Sequence, residues 1–122
     1  MNKINLKINV VSNQIEITAP SLQKVKNPTI IFNKNEIIIG EETGINFLEV
    51  EKKQAIEYHG KHFKLMKEEL LAVYLDIIIG EIEMKFLVET IELSEENETL
   101  IKALQLINIP SITINGKTRE LE

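Results

Sequence analysis

Three groups of residues have types and spacing that could do chemistry: a histidine pair, a run of carboxylates and a glycine-lysine-threonine triplet. His59 and His62, the two histidines of the chain, flank Gly60 and could share a metal ion across a tight turn. A third ligand of evident placement is missing, so both are read as solvent-facing turn residues. Glu89, Glu92, Glu95, Glu96 and Glu98 could supply paired carboxylates for acid–base work. A solvated strand edge running into a helix N-terminus accounts for them without chemistry. Gly116-Lys117-Thr118 has the ending of a phosphate-binding loop, but that motif needs an earlier glycine, where Ser111 stands, and a following helix. Asn97-Glu98-Thr99 is a glycosylation sequon without a secretory signal to use it. No nucleophile lies in an evident pair with a base. The residues therefore give no catalytic, cofactor-binding or metal site.

The elements that would have to position such groups centre on AIEYHGKHFKLMKEELLAVYLDIIIG, residues 55–80. Ile56, Tyr58, Phe63 and Leu65 alternate with Glu57, His62 and Lys64, the pattern of a half-buried strand pair. Its turn is either His59-Gly60 as a type I′ pair or Gly60-Lys61 as a type II′ pair, and both give Gly60 a positive φ. A helix is predicted over residues 67–80, with Glu68 and Glu69 in its first turn. Leu70, Leu71, Tyr74, Ile77 and Ile78 take helical spacing there, while Val73, Leu75 and Ile79 fill the other side. A helix apolar all round is a core helix. Gly80 is a natural exit from it.

Along the rest of the chain, Ile4, Leu6, Ile8 and Val10 alternate as a strand. Ser12-Asn13-Gln14 turns it, and Ile15-Glu16-Ile17 starts the return. Residues 20–26 read as a loop. Thr29 to Phe32 and Ile37 to Ile39 read as strands around a turn at Asn33-Lys34-Asn35, and residues 41–53 show no firm pattern. Phe86 to Leu93 reads as a strand. Ser94 is the expected N-cap of a helix whose face carries Leu100, Ile101, Leu104 and Ile107. Pro110 ends that helix, and Ser111 to Asn115 form a last strand. Strand, helix, strand with short links is a βαβ unit with parallel strands. The expected class is α/β: a mixed sheet with β-hairpins, a buried helix and a terminal βαβ unit.

A chain of 122 residues is one domain, placed over residues 1–120, with Leu121-Glu122 read as an expression-vector remnant. The net charge is −5 without a basic cluster, which argues against nucleic acid as a partner. No segment has the length and apolarity of a membrane span. There is no cysteine and no signal-peptide pattern at the N-terminus, which suits the cytoplasm.

EYHGKHFKLMKEELLAVYL resembles the matching piece of the seventy-kilodalton heat-shock chaperones of the DnaK type. Glu57, Tyr58, Gly60, Glu68 and Glu69 keep step with that family's Glu-Tyr-x-Gly hairpin and Glu-Glu helix. Pro28-Thr29-Ile30-Ile31-Phe32, Ile38-Ile39-Gly40, the stretch from Gly80 to Leu93, and Ile114-Asn115 with Thr118 follow in the family's order. The resemblance implies an actin-like ATPase lobe, the first of two. It brings ATP and magnesium only as properties of the family. The family's phosphate-gripping glycine turn has no counterpart, since no glycine precedes Gly40, and its catalytic lysine falls in a shortened segment. Its relay proline and arginine align with Ile91 and Thr99. The expectation is a fragment or degenerate relative of a chaperone ATPase, not catalytic alone, lacking its second lobe. The alternatives are a stand-alone protein-interaction module that keeps the same fold and holds a partner through a sheet edge or a helix face, or the first lobe of a longer ATP-dependent chaperone.

Overall fold

Isoleucine, valine and leucine at every second position shape most of this molecule, because period-two apolarity buries one face of a strand and leaves the other outward. A computed structural model describes residues 2–12, 14–33, 35–68 and 72–121, with residues 33 and 55 described by their backbone alone. Asn13, Lys34, Glu69, Leu70, Leu71 and Glu122, which the sequence places in turns, a helix and the terminal remnant, lie outside the described residues.

The strands are β1 (Lys3–Val11), β2 (Gln14–Thr18), β3 (Leu22–Lys26), β4 (Pro28–Asn33), β5 (Glu36–Glu41), β6 (Ile45–Val50), β7 (Lys53–Tyr58), β8 (His62–Lys67), β9 (Val73–Ile79), β10 (Ile82–Leu93), β11 (Ser111–Ile114) and β12 (Lys117–Glu120). A short 3-10 turn, Glu42–Gly44, precedes β6, and the helix α1 spans Glu98–Leu106. Ten strands form one sheet in the order β3-β2-β1-β10-β9-β8-β5-β4, with β11 joined to β10 and β12 to β11. β6 and β7 form a separate two-stranded sheet. β1 and β11 run parallel to β10, and the other pairs are antiparallel.

The two ends of the large sheet are consecutive in sequence. β3 passes to β4 through Asn27 alone, at φ 46°, and the Glu42 amide at the end of β5 donates to the Asn27 carbonyl at 3.2 Å. The sheet therefore curls so that its inward faces share one core. Leu6, Ile8, Ile15, Ile17, Phe63 and Leu75 are among its fully buried members. Each such side chain contributes roughly 1.5–3 kcal/mol by leaving water. α1 adds Leu100, Ile101, Ala103 and Leu104 to the same core.

The α/β expectation is corrected: the protein is mostly β, and the core helix over residues 67–80 is not formed. Residues 73–79 are β9, paired with β8 and β10. Val73, Leu75 and Ile77 point into the core. The segment looks apolar all round because a central strand can bury residues on both faces. Its β-branched Val73, Ile77, Ile78 and Ile79 favour extended backbone over helix. Near the start of the expected helix, the Glu68 amide donates to the Ala72 carbonyl at 2.9 Å and closes the β8–β9 connection. The actin-like lobe implied by the DnaK-type resemblance is therefore not the fold of this chain.

Smaller expectations also change. β7 and β8 are strands and Gly60 has φ +72°, but they are not partners: β7 pairs with β6, and β8 with β5 and β9. Ile56 therefore stays exposed while Phe63, Leu65 and also His62 are buried. Residues 22–26 of the expected loop are β3. Residues 41–53 contain the 3-10 turn and β6. The N-cap of α1 is Asn97, whose Oδ1 accepts from the Leu100 amide at 3.0 Å, rather than Ser94. The β10–α1–β11 unit is parallel as expected, with Glu92 and Leu93 beside Thr113 and Ile114. Asn115 (φ 51°) and Gly116 (φ 78°) form the two-residue link into β12, the usual chemistry of a primed hairpin turn. Leu121 is buried, and its amide donates to the Pro110 carbonyl at 2.9 Å.

Candidate functional site

The outward face of β5, β8, β9 and β10 carries a polar row across the sheet. Strand register sets Lys64 and Lys85 on either side of Asp76, with the buried, apolar Ile38 of β5 next beyond Lys64, so Asp76 stands between two cations. Asp76 is only 7% exposed, and its Oδ1 has no hydrogen-bond partner among the described residues. Burial pushes its carboxyl above the ordinary value. Lys85 opposes that shift, Glu83 adds to it, and Lys64 opposes it. Lys85 Nζ meets Glu68 Oε1 at 3.2 Å and lies 4.6 Å from the centre of the Tyr74 ring. The Glu68 bond, foremost, holds the Lys85 ammonium above its ordinary value.

Beside this row, the Tyr58 ring stacks on His62 at 5.5 Å between centroids. Tyr58 ends β7 and His62 begins β8, so the stack fixes the root of the β6–β7 arm to the large sheet. The Tyr58 hydroxyl is buried without a partner among the described residues. Burial raises its pKa, and Glu36 raises it further. His62 Nδ1 lies 3.0 Å from the Gly60 carbonyl oxygen. A carbonyl only accepts, so Nδ1 carries a proton.

The histidine pair thus separates. His59 is exposed as expected, with Nε2 at 3.4 Å from Glu57 Oε1, whereas His62 is buried and stacked rather than solvent-facing. Among the described residues, no group of three or more histidine or carboxylate side chains could hold a metal ion. The carboxylate run also disperses. Glu89 is skipped by the register where β10 bulges against β1. Glu92 is in β10, Glu98 begins α1, and Glu96 Oε1 accepts from Arg119 Nη1 at 2.6 Å. Lys117 and Thr118 pair with Ile114 and Thr113 in the last hairpin. Ile91 is buried in β10, and Thr99 is exposed on α1.

A cleft of about 290 Å³ opens where one edge of β10 changes partner. β9 pairs with β10 as far as Leu87, and β11 joins it from Glu92. Between them, Val88 to Ile91 line the cleft opposite Ser111, Thr113 and Thr118. Hydroxyls and one carboxylate, Glu89, are its polar groups, a lining that suits hydrogen bonding to a small polar molecule.

The third feature is the β6–β7 arm. Its register sets Phe47 beside Ile56, Ile45 beside Tyr58 and Val50 beside Lys53. Glu51 and Lys52, both at positive φ, form its tip. Every described side chain over residues 46–57 is exposed. These include Phe47 at 73%, Val50 at 55%, Leu48 at 41% and Ile56 at 36%. An isolated two-stranded hairpin is marginal in water, and this one is anchored at its base. The His59 amide bonds the Gly44 carbonyl at 2.6 Å, and Tyr58 stacks on His62.

Sequence reasoning passed over both sets of residues. The signal for Asp76 was a lone charge in a β-branched apolar run. The signal for the arm was the strand-like NFLEV and KQAIE halves around Glu51-Lys52, hidden because β7 was assigned to the wrong partner. No described helix is long and apolar enough to cross a membrane, which says nothing of crossing by strands. No family model, curated protein or solved structure matches this chain significantly.

Proposed function

We propose that this chain is a non-catalytic protein-interaction module that engages its partner through the β6–β7 arm. The observation that carries this reading is the contiguous apolar exposure of Phe47 and Ile56 on one face of the arm, with Leu48 and Val50 on the other. Apolar surface of this kind, clustered on a projecting element and rimmed by Glu49, Glu51, Lys52 and Lys53, marks binding surfaces rather than ordinary exteriors. An anchored aromatic at its centre is the usual source of most binding energy. We place the module in the cytoplasm, in keeping with a chain that contains no cysteine.

The DnaK-type resemblance is left with the quoted residues alone, without the lobe that would give them a nucleotide role. A chaperone-ATPase fragment is accordingly the weaker reading, and the module needs neither ATP nor magnesium.

Site-specific photo-crosslinking tests the proposal. A photoreactive amino acid at the position of Phe47 is expected to give a discrete adduct in cells, and Ile56→Ser is expected to suppress it. The same group at Lys24, exposed on β3, serves as the control. Equal adducts from both positions, or an adduct unaffected by Ile56→Ser, would remove the arm from the reading.

A further inference from the structure

The partner of the arm is identified by comparing the edges the fold leaves open. Among the described strands, β3, β4 and β12 bound the large sheet, and β6 and β7 each have a free side. An open edge accepts another strand through its backbone, and opposed side chains decide which strand is accepted. A strand that meets its own copy antiparallel about a two-fold axis perpendicular to the sheet keeps its faces aligned, so residues equally spaced from the centre stand opposite one another.

This rule separates the edges. β3 centred on Val25 would oppose Lys24 to Lys26, and β12 centred on Thr118 would oppose Lys117 to Arg119. Like charges directly opposite are destabilising. β4, PTIIFN, carries no charge, and β6, INFLEV, carries Glu49 with no cation to set against it. β7 alone sets opposite charges against each other. Centred on Ala55, its sequence KQAIEY places Lys53 opposite Glu57 of the second copy, and Glu57 opposite Lys53, one pair on each side of the axis.

We propose that β7 pairs antiparallel with β7 of a second copy of this chain, giving a four-stranded β6-β7-β7-β6 sheet. The proposal rests on the arm being the contact surface. In this register Ile56 of each copy is diagonal to Ile56 of the other, within reach of long side chains. Phe47, which flanks Ile56 on the β6 side, extends the band, so the exposed apolar face becomes continuous across the axis. On the opposite face, Leu48 of each copy flanks the central Ala55 positions. Glu57 meets His59 of its own chain through Oε1, which leaves Oε2 for Lys53 of the second copy. An unrelated strand would gain the same backbone bonds without the charge match.

Sedimentation equilibrium on the purified chain reads the outcome. The chain is expected to dimerise reversibly. Lys53→Glu or Glu57→Lys alone sets two like-charged pairs across the axis and is expected to weaken the dimer by about 10-fold or more. The double variant Lys53→Glu with Glu57→Lys restores the match and is expected to return within about 3-fold of the parent. Both side chains are exposed, so the urea midpoint, taken at concentrations where the chain is monomeric, should stay at the parent value. Should a charge reversal disturb folding, Lys53→Ala combined with Glu57→Ala removes both pairs and is expected to weaken the dimer. A chain that stays monomeric, a dimer indifferent to the single reversals, or a double variant weaker than either single overturns the proposal. A monomeric chain that still yields a Phe47 adduct with a different protein overturns self-pairing and leaves the interaction module standing. A monomeric chain that gives no adduct at Phe47 overturns both.

Discussion

Replacing Asp76 by valine should make this protein more stable at neutral pH. The carboxylate sits in a central strand at 7% exposure with one oxygen unpaired among the described residues, and leaving a buried polar group unsatisfied costs about 1–3 kcal/mol. Lys64 and Lys85 return part of that by attraction. Lys85 is 36% exposed in its side chain, and partly solvated pairs are worth roughly 0.2–1 kcal/mol each. A β-branched apolar residue suits the position. The balance is a gain of about 1 kcal/mol, or about 3–6 °C in Tm for a domain of this length. The pH dependence carries the sharper signature. Burial raises the folded pKa of Asp76 above its unfolded value, so the folded state holds the proton more tightly. The stability this provides is fully present below the ordinary carboxylate pKa of about 3.9 and is lost as pH rises through the folded value. The advantage of Asp76→Val should therefore shrink as pH falls from neutrality through that window. Urea denaturation of both proteins at a series of pH values measures the difference, in which titration of the carboxylates other than the neighbouring Glu83 cancels. A variant less stable than the parent at neutral pH, or a difference flat with pH, would refute the reasoning.

Phe63 is fully buried in β8, and Phe63→Ala should cost about 3–5 kcal/mol, read as a lowered urea midpoint. Asn97→Ala removes the side-chain cap of α1 and should cost about 0.5–2 kcal/mol, whereas Ser94→Ala should leave stability within about 0.5 kcal/mol of the parent; equal losses would return the cap to Ser94. Isothermal calorimetry with ATP and magnesium is expected to give no binding heat, and a saturable micromolar isotherm would contradict the interaction-module reading. The amides of β7 should exchange with deuterium faster in monomer than in dimer, and β7 amides equally protected at both concentrations would count against pairing through that edge.

Local chemistry was legible wherever a residue acts on its near neighbours. Alternation in Ile4, Leu6 and Ile8 is itself the inward face of β1, and Gly60 needs a positive φ whatever the strands around it do, whereas α1 stops at Leu106, with Asn108 at φ 61°, before Pro110 is reached. The βαβ unit followed in the same way, since a short amphipathic helix between two strands constrains their direction. The candidate site was much less legible. Asp76 is unusual only because Lys64 and Lys85 come beside it from other strands, and the arm is exposed only because β7 pairs with β6 instead of β8.

By itself the sequence determined where β1 alternates, where Gly60 and Asn115-Gly116 turn and which face of the one described helix is apolar, because those preferences are settled within a few residues. Tertiary structure alone decided that residues 73–79 extend rather than coil. An apolar run without clear periodicity satisfies either a buried helix or a strand covered on both faces, and only the flanking strands β8 and β10 supply the hydrogen-bond partners that settle the matter. The same selection of partners left β7 with an open edge and an exposed face.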